Sequence, residues 1–250
     1  MKKFLLAWVG LFALGVVAPA DAADLPPLPY GKAPIAPVPV YDWTGVYLGI
    51  NGGGGLAHTS WEIVSLLGVA APAPVSEGNH NASGGTAGGQ FGYRWQRSHW
   101  VFGLEAQGNW ADFKGSNPSL FLPPLTNQTK IDAFGLFTGQ LGYAVNSLLF
   151  YGKTGAAVVH DEFTTLAPSA TFNSVSETRW GYTLGVGVEY GFAENWSVGG
   201  EYDHLFLAHH GTSIATAAGL FPRTDRIGQD VDIGLIRVNY RWGGSVIAKY

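Results

Sequence analysis

The stretch from Trp180 to Tyr190 alternates without a break. Trp180, Tyr182, Leu184, Val186, Val188 and Tyr190 are large and apolar, while Gly181, Thr183, Gly185, Gly187 and Glu189 between them are small or polar. Each glycine would cost a helix about 1 kcal/mol, whereas a period of two puts every bulky side chain on one face of a strand. A tilted strand of this length crosses the hydrocarbon of a bilayer. Aromatics close both ends of the apolar face with aliphatics between them, the order of a lipid-facing band with a girdle at each interface. The sequence therefore predicts a membrane-spanning strand whose small, polar face lines a narrow barrel.

The rest of the chain repeats the pattern. A first strand begins at Trp43 or Thr44, with Val46, Leu48 and Ile50 against Tyr47, Gly49 and Asn51, and Gly52 to Gly55 continue it. A second runs from Gly84 to Gln96, a third from Trp100 to about Phe113 and a fourth from about Lys130 to Ala144. The fourth is less regular: Phe137, Leu141 and Tyr143 are assigned outward, although Phe134 and Leu136 share the parity of Asp132, Thr138 and Gln140. Leu148 to His160, the opening stretch, Trp196 to Phe206 and about Asp230 to Trp242 complete eight. In the last, Ile233, Leu235 and Ile236 break the alternation and suggest a bulge.

Connections alternate in length. Long ones are expected at about 58–83, after strand three, at about 161–176 and from His209 to Ile227; short ones at Arg97-Ser98-His99, Val145-Asn146-Ser147 and Gly191 to Asn195. That asymmetry belongs to outer-membrane barrels, with short periplasmic turns and long outer loops, and it puts both ends of the barrel on the periplasmic side. The predicted fold is all-β, an eight-stranded antiparallel up-and-down transmembrane β-barrel over 43–242. A soluble barrel would turn its large residues inward and leave glycine and threonine outside. Charged residues, 13% of the chain where about a quarter is usual, are too few to coat such a surface.

Lys2 and Lys3, the apolar run from Phe4 to about Ala18 and Ala20-Asp21-Ala22 read as a signal peptide over 1–22, so the chain is expected to leave the cytoplasm for the outer membrane. Residues 23–42 are proline-rich and read as an extended periplasmic spacer. Residues 243–250 extend past the last strand. With no cysteine, thiol chemistry is excluded, and a net charge of −4 gives no basis for nucleic-acid binding.

Several segments are similar to those of a known family: Tyr41-Asp42-Trp43-Thr44-Gly45-Val46-Tyr47-Leu48-Gly49-Ile50-Asn51, Gly88-Gly89-Gln90-Phe91-Gly92-Tyr93-Arg94-Trp95-Gln96, Gln140-Leu141-Gly142-Tyr143-Ala144 and Asn239-Tyr240-Arg241-Trp242. From about Tyr41 to Tyr250 the chain resembles the porin-family outer-membrane immunogenic proteins of Gram-negative bacteria. The resemblance implies an eight-stranded outer-membrane barrel and a surface antigen, often loosely called a porin. Its matching segments are structural and carry no catalytic residue.

Inward parity collects Arg94, Glu105, Lys153, Glu189, Glu201, Asp203, Arg237 and Arg241. Eight strands enclose only enough room for their own side chains, so these groups are expected to pair and plug the interior. A small-solute channel, gated as pairs exchange partners, is the competing expectation. Trp95, Trp100, Trp180, Tyr190, Trp196, Tyr240 and Trp242, with Trp43 and Tyr143, fall near strand ends and are expected to anchor at the headgroups; Tyr47 has inward parity. His58, His80, His160, His204, His209 and His210 fall toward the outer side and raise a haem- or metal-capturing surface as a further alternative. Their spacing defines no ligand set, so neither a metal site nor a cofactor is assigned. No nucleophile lies at a fixed spacing from a base, and no enzyme activity is expected. The expected partners are the outer-membrane bilayer, the barrel assembly machinery during biogenesis, and host or envelope surfaces through the outer loops.

Overall fold

The computed structural model describes residues 41–66, 69–118, 126–167, 170–207, 210–214 and 223–243. The signal peptide, most of the proline-rich segment and all but the first residue of the C-terminal extension lie outside them. Among the described residues there are nine strands and no helix: β1 (Gly45–Leu66), β2 (Val69–Arg97), β3 (Trp100–Pro118), β4 (Thr126–Val145), β5 (Leu148–Ala167), β6 (Ala170–Ala193), β7 (Trp196–Leu207), β8 (His210–Ile214) and β9 (Arg223–Trp242). Neighbours pair antiparallel, β1 closes the ring on β9, and β8 follows β7 along the same side of β9. Nine segments thus make the eight staves of a closed barrel. Its short turns are Ser98-His99, Asn146-Ser147 and Glu194-Asn195, and Ser98 and Asn146 take positive φ to reverse the chain within two residues.

The strands are longer than the sequence suggests. Residues 58–83 and 161–176, expected as loops, are largely ladder: Thr59 lies opposite His80, and Asp161 opposite Glu177. In a closed ring every backbone group has a neighbour on each side, so pairing continues through segments whose composition reads as loop. β1, for example, is held by β2 and β9 along nearly its whole length.

Outward faces are apolar from the short turns for about ten residues along each strand, as from Trp100 to Trp110, Val46 to Leu56 and Tyr190 to Trp180. At about 3.3 Å per residue and a tilt near 40°, that is a band of about 25 Å, the height of a lipid-facing belt. Beyond it the outward positions are polar: His58, Asn81, Lys114, Lys130, His160 and Glu162.

The interior changes in the opposite sense. Toward the short turns it holds charged and amide groups. Toward the outer end it holds Leu136, Phe134, Ile131, Val159, Leu205, Ile233 and Leu235 with Phe113, all buried in one cluster. The predicted bulge near Ile233 is therefore absent. Val231, Ile233, Leu235, Arg237, Asn239 and Arg241 all face inward in an unbroken register, and Ile236, 68% exposed, faces out. What changes at Ile233 is the chemistry of the interior, not the direction of the side chains. Phe134 and Leu136 point inward in β4 for the same reason, while Phe137, Leu141 and Tyr143 point outward. Register shifts fall instead between Trp110 and Phe113 and between Ile131 and Ala133, where Asp112 and Asp132 pair with Lys114 and Lys130 on the outer surface.

Candidate functional site in the barrel interior

The interior is built in layers. At the mouth beside the short turns, Tyr41 and Trp43 precede β1 and fold into the opening, Trp43 with only 1% of its surface exposed. The Trp43 amide donates to Gln96 Oε1 at 2.9 Å, and the two rings lie 4.5 Å apart. Trp43 is thus a stopper facing the lumen, not the lipid anchor expected from its place at a strand end. Arg241 belongs to this layer: its guanidinium lies 5.0 Å from the Tyr41 ring and donates to the carbonyls of Thr44 (2.8 Å) and Glu194 (2.9 Å). It reaches backbone rather than the carboxylates.

The next layer brings together the other seven predicted charges. Arg237 donates to Glu105 and to Glu201. Lys153 Nζ lies 2.7 Å from Glu201, 3.1 Å from Asp203 and 3.7 Å from Glu105. Arg94 Nη2 lies 3.0 Å from Glu189, and its Nε donates to Gln140 at 3.1 Å. All seven are buried. Sharing keeps each charge within reach of an opposite one, which offsets the several kcal/mol that removing an ion from water costs.

Two tyrosines fix this layer. Tyr47 donates to Glu105 (2.7 Å) and Tyr151 to Glu201 (2.6 Å). Each ring lies over a glycine directly across the ladder, Gly92 and Gly187, where a Cβ would sit 2.5 Å and 2.4 Å from ring carbons. Those glycines are required by close approach. Arg94 also stacks 4.4 Å from the Tyr47 ring centroid. Parity marks Tyr47 as inward; Tyr151 carries no charge to set it apart in the sequence from the outward aromatics.

A chain of amides was missed for the same reason. Asn109 donates to Asn51 (2.6 Å), Asn51 to Gln90 (2.7 Å), Gln90 to Asn239 (2.7 Å) and Asn239 to Glu189 (2.9 Å). Ser197 adds a donor to Glu189. Above the amides lies the apolar layer, and above that a second polar level holds Asp161 with Arg179 at 2.8 Å and His80 with Thr129 at 3.0 Å. Here, outside the lipid-facing belt, burial pushes the His80 imidazole below its usual range. Burial pushes the Asp161 carboxyl up, against the pull of Arg179. Asp161 falls where the sequence suggests a loop, and Arg179 just before the stretch that begins at Trp180, so neither stands out as inward from the sequence.

The predicted anchors Trp95, Trp100, Trp180, Trp196 and Trp242 with Tyr190 turn outward and are exposed; Tyr240 is half-buried. Near the short turns they touch across strands, Trp95 stacking on Phe102 (5.6 Å), Trp100 meeting Tyr143 edge-on (5.3 Å) and Trp196 meeting Tyr240 (5.0 Å), while Trp242 packs on Tyr240 of its own strand (4.9 Å). Trp180 stands at the other end of the belt. His80 faces the lumen while His58, His160 and His204 face outward, His58 and His204 both toward Asp232, and among the described residues no group of three or more His, Asp or Glu is placed to hold a metal. His209 lies outside the described residues, and of His210 only the backbone is described.

This layered barrel has counterparts among known proteins. The model of the outer membrane protein beta-barrel domain matches residues 10–241. The 31 kDa outer-membrane immunogenic protein of Brucella melitensis biotype 1 is 32% identical over 218 residues, covering 81% of this chain and 85% of that one. The 22 kDa outer membrane protein of Rhizobium leguminosarum bv. viciae is 29% identical over 131 residues, 52% of this chain and 56% of that one. Among solved structures, the outer membrane protein OprG of Pseudomonas aeruginosa has the same fold, with a TM-score of 0.53, 15% identity and coverage of 83% of this chain and all of that one.

Proposed function

Since the chain belongs to the outer membrane protein β-barrel family, we propose that it acts there as a closed barrel of structural and surface-antigen type, contributing to envelope integrity and surface contact. The observation that carries this reading is the shared coordination of Arg237 by Glu105 and Glu201, with Lys153 bridging the same carboxylates. In so narrow a ring, this layer acts as a plug. Tyr41 and Trp43 below and the apolar cluster above add to it. The outward aromatics, Trp95, Trp100, Trp180, Tyr190, Trp196, Tyr240 and Trp242, would hold the barrel at the headgroup levels. No catalytic role is assigned to any residue. The name of the Brucella relative, an immunogenic protein, supports placing surface contact in the outer hairpins. Refolded protein in planar bilayers is expected to give no large, steady conductance, and such a conductance would overturn the plug.

One observation favours the small-solute channel as second reading. Lys153 lies within 4 Å of three carboxylates, so the pairs have alternative partners to exchange with. Brief openings that disappear in Lys153→Met would support it; a silent wild-type protein would remove it. A haem or zinc surface built from the outer histidines is tested by titration, and lack of saturable binding removes that reading.

A further inference from the structure

The lipid-facing surface has two rows in which three adjacent strands present no side chain. One is Gly89-Gly108-Gly135 over β2, β3 and β4. The other is Gly234-Gly54-Gly85 over β9, β1 and β2, which continues the row of Val186 and Tyr202 and alone borders a cluster of carboxylate and imidazole groups. A Cβ on Gly234 would meet nothing within 4 Å, and one on Gly85 nothing nearer than 3.8 Å. The result is a trough of about 430 Å³ bounded by Tyr202, Leu56, Ser83 and Asp232. The next row outward, His204, Asp232, Leu56, Ser83, is polar but for Leu56, and the row after it places Asp230, His58 and Asn81 side by side.

These residues form one connected group. Asp232 accepts from the Tyr202 hydroxyl (2.5 Å) and from His204 Nδ1 (2.6 Å), and lies 3.6 Å from His58 Nε2. His58 Nδ1 is 2.8 Å from Asn81 Oδ1. Beside it opens a second recess of about 450 Å³, which Ser60, Asn79 and Asp230 share with His58 and Asn81. A carboxylate on the outer surface at the edge of the hydrocarbon is costly there, and groups kept in such places mark binding sites. The neighbouring lysine, Lys114, is already engaged by Asp112.

We propose that this part of the barrel wall binds a glycolipid of the outer leaflet, with one acyl chain in the trough over Gly234 and Gly54 and the sugar on the Asp232, His204, His58 and Asn81 cluster. Trough and cluster are contiguous and ordered as an amphiphile is, tail toward the membrane centre and head toward the surface. Carboxylate, amide and imidazole groups accept from and donate to vicinal hydroxyls, and Tyr202 offers a ring face beside them. Asp230 and Asp232 repel a phosphate, so the head recognised is the saccharide and not an anionic group. The chain is held by contact rather than charge, which the open glycine surface allows by bringing it against backbone.

The test is native mass spectrometry of the full-length mature protein in a polyoxyethylene ether detergent, titrated separately with glucosyl diacylglycerol, phosphatidylglycerol and diacylglycerol. The glucosyl lipid is expected to bind at least tenfold more tightly than either other lipid. Asp232→Asn together with His58→Ala should abolish that preference, and Gly234→Leu should weaken the glucosyl lipid at least tenfold by filling the trough. Gly108→Leu, on another part of the belt where a Cβ also meets nothing within 4 Å, should leave binding unchanged. Heat-dependent gel mobility verifies that each variant is folded. Equal uptake of the three lipids, preference for phosphatidylglycerol, or wild-type binding by a folded Gly234→Leu would each overturn the proposal.

Discussion

From the short turns to about the row of Leu56 and Asp232, the barrel is apolar outside and ionic inside. Past that row it is polar outside, with Phe113, Ile131, Val159 and Val231 packed within. One continuous ladder therefore carries two opposite distributions of polarity, with the same register and the same parity. The difference teaches that the sign of a strand's amphipathicity reports its solvent rather than its fold. In hydrocarbon the bulky apolar residues go out, and in water they go in, as in a soluble barrel.

The comparison can be broken by substitution. The largest effect is expected in the ionic half. Arg237→Ala leaves Glu105 and Glu201 without their shared guanidinium and should cost about 3–5 kcal/mol, read as a lower urea midpoint in detergent by tryptophan fluorescence. A simultaneous change of the three residues to apolar ones of similar volume should cost much less, because it removes the unpaired charge along with the pair.

Leucine truncation sharpens the contrast. Leu136→Ala, at 0% exposure, should cost about 2–5 kcal/mol in the same assay, since it opens a cavity in the apolar layer. Leu184→Ala, 57% exposed on the outer surface, should cost less than about 1.5 kcal/mol, because lipid or detergent refills the space. Equal costs would mean that the two halves do not differ in packing.

A smaller effect depends on pH and is confined to the outer half. Burial lowers the His80 pKa below that of the unfolded chain, so the unfolded state takes up its proton first. Stability from this group is full above about pH 6.5 and falls as the pH drops below that value. Thermal melts at pH 7.5 and 5.5 should show the loss in wild type and less of it in His80→Gln. Asp161, with its carboxyl pushed up, works the other way and loses stability as the pH rises through its titration. The smallest effect is expected at Lys114, whose pair with Asp112 is exposed: Lys114→Ala should change stability by under about 1 kcal/mol, and by still less in high salt.

The belt was legible residue by residue. Trp180 to Tyr190, Phe91 to Trp95 and Trp100 to Trp110 alternate because one solvent acts along the whole of each stretch. Inward charges followed from the same parity, and Arg94, Glu105, Lys153, Glu189, Glu201, Asp203 and Arg237 do meet one another. Arg241 has the same parity but lies at the mouth, where backbone carbonyls reach it first. Ile233 and Leu235 look like a bulge in the sequence, and Phe134 and Leu136 like an irregularity, because the ring also buries large apolar side chains on the inward parity that its polar groups share. Asp161 is hidden in a segment whose composition suggests a loop, and Arg179 lies between that segment and the strand read from Trp180. Trp43 was placed in the headgroups because its position at a strand end says nothing about which way the preceding segment folds.

The order of residues along the chain determined, by itself, that there would be eight membrane crossings, short turns at one end, and a division of each crossing strand into lipid and lumen faces. That division is local: alternate side chains point to opposite sides whatever the neighbouring strands do. Only the closed ring decided which inward groups meet, how far the ladder runs past the bilayer, and where a trough of glycines lies under a histidine and aspartate cluster. These depend on strands distant in sequence coming side by side, as β1 does with β9, and on the register between them, which fixes which side chains share a row.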